Sequence, residues 1–218
     1  MAARAFDAFL LDVLPPRARV LDVGCGDGAL VERLAAAGFD AVGVDPSAPA
    51  SPRLVRERVE DATGIGRFDA VCAVTSLHHA DLDHVLAAIA ELLRPGGLVV
   101  VSEFSWEAYD ERAAAWVAEH DPARDGSVAA WRDEHDELHT GEHVRGALDD
   151  AFERRSLTSR PYLAAMLGRP ELEREELAEL ERDRLPAIGW WYVGSKTSQR
   201  FPRGACSRSM NDCSPEPD

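Results

Sequence analysis

The stretch Val20-Leu21-Asp22-Val23-Gly24-Cys25-Gly26-Asp27-Gly28-Ala29-Leu30 decides how the rest of the chain is read. RVLDVG (19–24) is a short apolar run closed by glycine, the pattern of a buried strand. GALVERLAAAGF (28–39) then places Leu30, Val31 and Leu34 at helical spacing, with Gly38 as a stop signal. Glycines between strand and helix let the backbone turn tightly and approach a ligand closely, and a helix N-terminus offers unpaired N–H groups. Asp45 closes a second strand, AVGVD (41–45), where a carboxylate can accept hydrogen bonds from a ribose diol. A glycine loop alone marks little more than a tight turn. The loop together with an acid at the end of the next strand points to a nucleoside ligand.

Outward from this unit the pattern repeats. An amphipathic opening segment (Phe6, Phe9, Leu10, Val13) stops at Pro15-Pro16, and a third strand is expected around LVRERV (54–59). FDAVCAV (68–74) is the clearest buried strand. Asp81 caps a helix whose Leu82, Val85, Leu86, Ile89, Leu92 and Leu93 follow helical spacing, ended by Pro95-Gly96-Gly97 before the strand LVVVSEF (98–104). Strands alternating with helices at this pitch imply a parallel sheet covered on both faces. The second half reads as helices at 105–119 and 127–138, a short helix from Thr140, and a Glu/Arg-rich helix at 171–184 between strand-like 152–159 and 188–195. The expected organisation is one domain over 1–195 and a disordered tail over 196–218.

The 218 residues suit one medium-sized domain. A net charge of −15 argues against non-specific binding to nucleic acid or anionic membrane. Two-thirds of the excess lies in residues 105–153, which carry 14 acids and 4 arginines. No run approaches the ~18 apolar residues of a membrane span, the N-terminus lacks a signal-peptide core, and the four cysteines have no CxxC spacing. A cytoplasmic protein without membrane insertion is the expectation.

Two nucleoside cofactors compete for the loop. Gly24-x-Gly26-x-x-Ala29 satisfies the dinucleotide fingerprint, and Asp45 suits NAD, which would make the chain an oxidoreductase. Yet Gly24, Gly26 and Gly28 preceded by Asp22 resemble motif I of class I S-adenosylmethionine-dependent methyltransferases. AVGVDPS (41–47) is similar to that family's ribose-binding segment, and VEDA (59–62) to its adenine-binding segment. FDAVCAVTSLHH (68–79) resembles its motif IV, and LLRPGGLVVVSEFS (92–105) its fifth strand with the preceding turn. The resemblance covers roughly 17–105 and is closest to the methyltransferase type 11 group, with its ubiquinone/menaquinone-type C-methyltransferases.

The resemblance implies a Rossmann-like α/β fold: a seven-stranded, mostly parallel sheet with an antiparallel last strand, and a helical lid over 105–153 between strands 5 and 6. It implies S-adenosylmethionine as cofactor and methyl transfer to a small molecule at oxygen or carbon, through positioning and desolvation. By position, Asp22, Gly24, Cys25, Gly26 and Gly28 should line the methionine end, and Asp45 with Pro46 the ribose. Asp61 and the Ala62 N–H should meet the adenine, and Thr75 should lie near the cofactor. A non-catalytic, regulatory S-adenosylmethionine-binding protein is the other alternative. In favour of that alternative, only residues 46–53, with three prolines, join the second strand to the third, too few for the usual crossover helix.

His78, His79 and Glu103 are the candidate catalytic residues, since they follow strand ends where ligands of such sheets bind. The plainer reading is that they shape the loop. His135, His139 and His143 are four apart, but Thr140-Gly141 should break the helix between them, and no metal site is assigned. Trp106, Tyr109, Trp116 and Trp131 should form the lid's own core, with one or two lining an acceptor pocket. If the acidic 105–153 segment covers the acceptor, a neutral or cationic small molecule is favoured.

Overall fold

A computed structural model describes residues 2–196; the expected disordered tail, with Cys206 and Cys213, lies outside the described residues apart from Lys196. Seven strands form one sheet in the order β3-β2-β1-β4-β5-β7-β6. They are β1 Arg19–Val23, β2 Asp40–Val44, β3 Leu54–Val55, β4 Phe68–Val74, β5 Leu93–Phe104, β6 Glu153–Arg160 and β7 Gly189–Ser195. The strands from β3 to β5 pair in parallel, and β7 runs antiparallel to both β5 and β6. An antiparallel strand between the fifth and sixth strands is not part of the dinucleotide-binding order, which is parallel throughout.

The central strands are apolar on both faces because helices cover both. Leu21, Val23, Val71, Ala73, Val99 and Val101 point to one side and pack with Val85, Leu86 and Ile89 of α3 (Leu82–Leu92). Val20, Ala70, Cys72 and Val100 alternate to the other, against Phe6 and Leu10 of α1 (Ala2–Val13) and Leu30, Val31 and Leu34 of α2 (Ala29–Ala36). Asp81 caps α3 as expected, accepting the His84 N–H.

Two expectations need correction. The third strand keeps only Leu54–Val55, paired with Gly43 and Val44, and residues 46–53 hold no helix. So short a connection drops β3 beside β2 for two rungs, after which the chain leaves the sheet. Pro95-Gly96-Gly97 does not precede β5 but lies within it, where the register to β4 shifts. Residues 105–153 lie between β5 and β6 as expected and pack in two places. Their last helix, α6 (Gly141–Ala151), puts Val144 and Leu148 into the main core. A separate small core joins α4 (Glu111–His120) and α5 (Val128–His135) to residues of the β6–β7 connection, including Leu163, Leu185 and Ile188.

That connection begins with α7 (Leu163–Met166), which is capped from a distance. Glu176, on α8 (Glu173–Glu181), is buried and accepts the N–H groups of Tyr162, Leu163 and Ala164 at 2.6, 2.8 and 2.8 Å. Burial holds its pKa above the ordinary value even against these three bonds. Glu176→Ala would strand three buried donors, so urea denaturation should show a loss of about 2–4 kcal/mol. Glu176→Gln should lose less, because its amide oxygen still accepts.

Candidate active site

The glycine loop is left-handed at Gly24, Gly26 and Gly28, with φ of 72°, 53° and 84°. At Gly24 a side chain is excluded twice over, since its Cβ would lie 2.5 Å from the Cβ of Ser76. At Gly26 no atom comes within 4 Å of an added Cβ, so the backbone is open there. Asp45, at the end of β2, accepts the Gly26 N–H at 3.1 Å, the Ser47 N–H at 2.7 Å and the Ser47 hydroxyl at 2.6 Å. Burial would raise its pKa, but the bonds from Ser47 and Gly26 outweigh burial and hold the carboxyl below its ordinary range.

Asp22 is the opposite case. It is 3% exposed, and burial pushes its carboxyl up to about 7, with the Arg33 charge pulling it down and the Asp45 charge adding to the rise. No hydrogen bond contributes to that balance. A buried carboxylate without donors is costly, and a cation brought beside it removes the cost. Burial, then the Asp22 and Asp45 charges, push the Cys25 thiol up to about 12, so it remains a neutral wall rather than a nucleophile.

These residues open onto a cavity of about 380 Å³, within the range of small-molecule sites. It runs from Asp22, Gly24 and Cys25 past Val74, Thr75, Ser102 and Glu103 to Arg160, Tyr162, Trp190 and Trp191. Thr75 closes β4 at φ 45°, held by its N–H on the Ser102 carbonyl at 2.8 Å. A β-branched residue in the left-handed region is strained, by about 1–3 kcal/mol, and such strain gathers where a chain must turn under a ligand.

The histidine pair separates. His78 Nδ1 lies 3.0 Å from both oxygens of Glu103, and the two side chains are 6% and 2% exposed. The same carboxylate accepts the Leu77 and Phe104 N–H groups at 2.9 and 3.2 Å, so both of its oxygens are engaged. His79 is exposed and does not line the cavity. Shielding of its ring, with the His78 and His135 charges, lowers its pKa against the pull of Glu103.

Other expected residues fall away from the cavity. Gly26, Gly28, Asp45 and Pro46 do not line it. Asp61 is exposed in the irregular stretch after β3, and the Ala62 N–H is bonded to the Arg58 carbonyl at 3.1 Å. Tyr109, Trp116 and Trp131 are buried in the small core, and neither they nor Trp106 line the cavity. None of the acids of 105–153 lines it either, which removes the ground for expecting a neutral or cationic acceptor. His135, His139 and His143 sit on α5, on a loop and on α6, and no metal-sized cluster forms among the described residues. The wall that sequence reasoning missed comes from α1 and from the two ends of the β6–β7 connection: Phe6, Arg160, Pro161, Tyr162 and Trp190-Trp191. Its only local signal was two adjacent tryptophans in a strand, where alternation sends one to each face.

The profile of a family described as "Methyltransferase domain" matches residues 2–169. A ubiquinone biosynthesis O-methyltransferase of Bradyrhizobium sp. (strain ORS 278) is 36% identical over 107 residues, 42% of this chain and 42% of that protein. The chain therefore spans less than half the length of that curated relative. Among solved structures, a geranyl diphosphate methyltransferase in complex with GPP and sinefungin aligns with a TM-score of 0.59 at 18% identity, over 89% of this chain and 78% of that one. The 1,6-didemethyltoxoflavin-N1-methyltransferase of Burkholderia thailandensis, with 1,6-didemethyltoxoflavin and S-adenosylhomocysteine bound, aligns with a TM-score of 0.57 at 22% identity, over 90% and 78%. At these identities the two structures share the fold.

The acidity of Asp22 has a measurable sign. Its folded pKa of about 7 lies above its ordinary 3.8, so the folded state binds the proton more tightly and loses stability as pH rises between those values. Thermal unfolding without added ligand should therefore show Asp22→Asn gaining on the wild type from pH ~4 to pH ~7, by a few kcal/mol at most. A constant difference across that window would place the charge elsewhere.

Proposed function

Because the chain belongs to the class I S-adenosylmethionine-dependent methyltransferases, we propose that it transfers a methyl group from S-adenosylmethionine to a small molecule, at oxygen or carbon. The observation that carries this reading is Asp22: a buried carboxylate, set by burial and charge alone, lining a cavity that continues into an open glycine loop. The ammonium of a bound amino acid fits such a group, whereas a dinucleotide phosphate beside it would add like charge. When bound, the cofactor supplies an electrophilic methyl group on sulfonium sulfur.

The chain's own residues then hold and orient. The Asp45 carboxylate, kept ionised by its hydrogen bonds, accepts the ribose hydroxyls, and the open backbone at Gly26 admits the cofactor closely. Asp22 pairs with the ammonium, and Thr75 sets the floor beneath the reacting centre. His78 and Glu103 we assign to positioning, since their pairing pins the 77–79 turn to β5 and so fixes Ser76 against Gly24. The apolar wall excludes water, and rate comes from alignment of acceptor and methyl group. A reducing, cytoplasmic location accords with Cys25 and Cys72, both buried free thiols. No helix among the described residues is long and apolar enough to cross a membrane.

S-adenosylhomocysteine at about 100 times its Kd should stabilise the fold by roughly 3 kcal/mol and raise Tm by roughly 5–10 °C. No shift with S-adenosylhomocysteine, beside a clear shift with NAD, would overturn the assignment. In calorimetric titration Asp45→Ala should bind S-adenosylhomocysteine roughly 10- to 100-fold more weakly, the loss of one or two bonds to a charged acceptor.

A further inference from the structure

Arg160 ends β6 at the same sheet edge as the end of β5, opposite Gly189 in the ladder to β7. A Cβ at Gly189 would lie 2.8 Å from the Arg160 carbonyl oxygen and 3.1 Å from the Tyr162 Cβ. Glycine there lets the chain cross β7 closely and brings Arg160, Pro161 and Tyr162 onto the cavity. The guanidinium carbon lies 4.0 Å over the Trp191 ring, which is itself stacked on Phe9 at 4.7 Å. A guanidinium laid flat on an aromatic face has its orientation set in advance.

This held cation has no ion-pair partner among the described residues. Its Nε is buried and has no hydrogen-bond partner among the described residues. Arg160 is in none of the ion pairs within 4.0 Å found among them. The charged neighbours in the cavity are otherwise accounted for. Arg33 is tied to Asp7 at 2.8 Å, and Glu103 is saturated by His78 and two backbone N–H groups. Glu173 also lines the cavity without coming within ion-pair distance of Arg160. The buried Nε is out of a ligand's reach, but the Nη groups enter none of the ion pairs among the described residues either, and a carboxylate can meet them in the plane that stacking leaves free.

On the reading that the cavity holds a methyl acceptor, the geometry points to Arg160 as a specificity-determining residue that pairs with a carboxylate on an aryl or conjugated acceptor. Tyr162 and Trp190 supply apolar wall for the conjugated part, while the Trp191 ring carries the guanidinium and Asp22 is reserved for the cofactor. This replaces the preference for neutral or cationic acceptors drawn from the overall charge, because the acid-rich segment does not reach the cavity.

The test uses the whole chain saturated with S-adenosylhomocysteine, and benzoate, cinnamate and 3,4-dihydroxybenzoate, each against its carboxamide. Quenching of tryptophan fluorescence reads binding, since Trp190 and Trp191 line the cavity. The wild type should bind at least one carboxylate about tenfold or more tightly than its amide, the range of a charge-assisted pair. Arg160→Met should erase that preference while leaving S-adenosylhomocysteine affinity within about twofold, and Arg160→Lys should keep part of it. Equal binding of acids and amides, or no carboxylate binding up to about 10 mM, would overturn the proposal. So would a large loss of S-adenosylhomocysteine affinity in Arg160→Met, which would assign the arginine to the cofactor's own carboxylate. Failure of the wild type to bind S-adenosylhomocysteine would instead strike the methyltransferase reading itself. If Arg160→Met does not fold, Arg160→Lys carries the comparison alone, with an unchanged preference counting against the bidentate pair.

Discussion

Three strand ends meet at Gly24, and the rest of the site is hung from that junction. Its N–H donates to the Val44 carbonyl of β2 at 2.9 Å, and its missing side chain leaves room for Ser76, which follows β4. The Ser76 hydroxyl returns to the Val23 carbonyl of β1 at 3.0 Å. A turn this close admits only a residue without Cβ, because φ is positive and the space is filled. From it follow the direction of α2, the placing of Asp45 beside the Gly26 N–H, and the sharp turn at Thr75 that floors the cavity.

The electrostatics follow from the same packing. β1 lies between β2 and β4, so Asp22 is carried into the sheet with its carboxyl toward the cavity and without donors of its own. Asp45, one strand over and at the surface, keeps three donors and its charge. Two carboxylates close enough to feel one another are thus set apart by burial at Asp22 and by hydrogen bonds at Asp45, one able to answer an incoming cation and the other set to accept hydroxyls. On the same cavity, stacking on Trp191 presents an arginine. An acid and a cation thus share one cavity with apolar walls, in a chain whose net charge of −15 suggests neither.

Much of the fold was legible because it rests on local rules. Short apolar runs in 19–24 and 68–74, the cap at Asp81 and the stop at Gly38 each depend on neighbours a few residues away. The short 46–53 segment could be seen to lack a crossover helix, but not where the strand after it would lie. VEDA resembles a binding segment, but its turn, with the Ala62 N–H on the Arg58 carbonyl, could not be read from residue order. The sequence predicts that the aromatic residues of 105–138 form a small core, with one or two lining an acceptor pocket. The core is there, but Tyr109, Trp116 and Trp131 share it with Leu163, Leu185 and Ile188 from a segment far along the chain, and none of the four rings lines the cavity.

By itself the sequence determined the strand–glycine–helix unit, the acid that follows it and the alternation that makes an α/β sheet. Spacing and backbone sterics act over short stretches, and both are written in residue order. Only the tertiary structure decided what stands opposite that unit. Arg160, Tyr162 and Trp191 lie more than a hundred residues beyond Asp22 and reach the same cavity because an antiparallel β7 is inserted between β5 and β6. Which side chains a long connection returns to a sheet edge depends on how it packs, and here that packing is set by Glu176 closing the end of α7 and by Gly189 leaving room for the chain to cross.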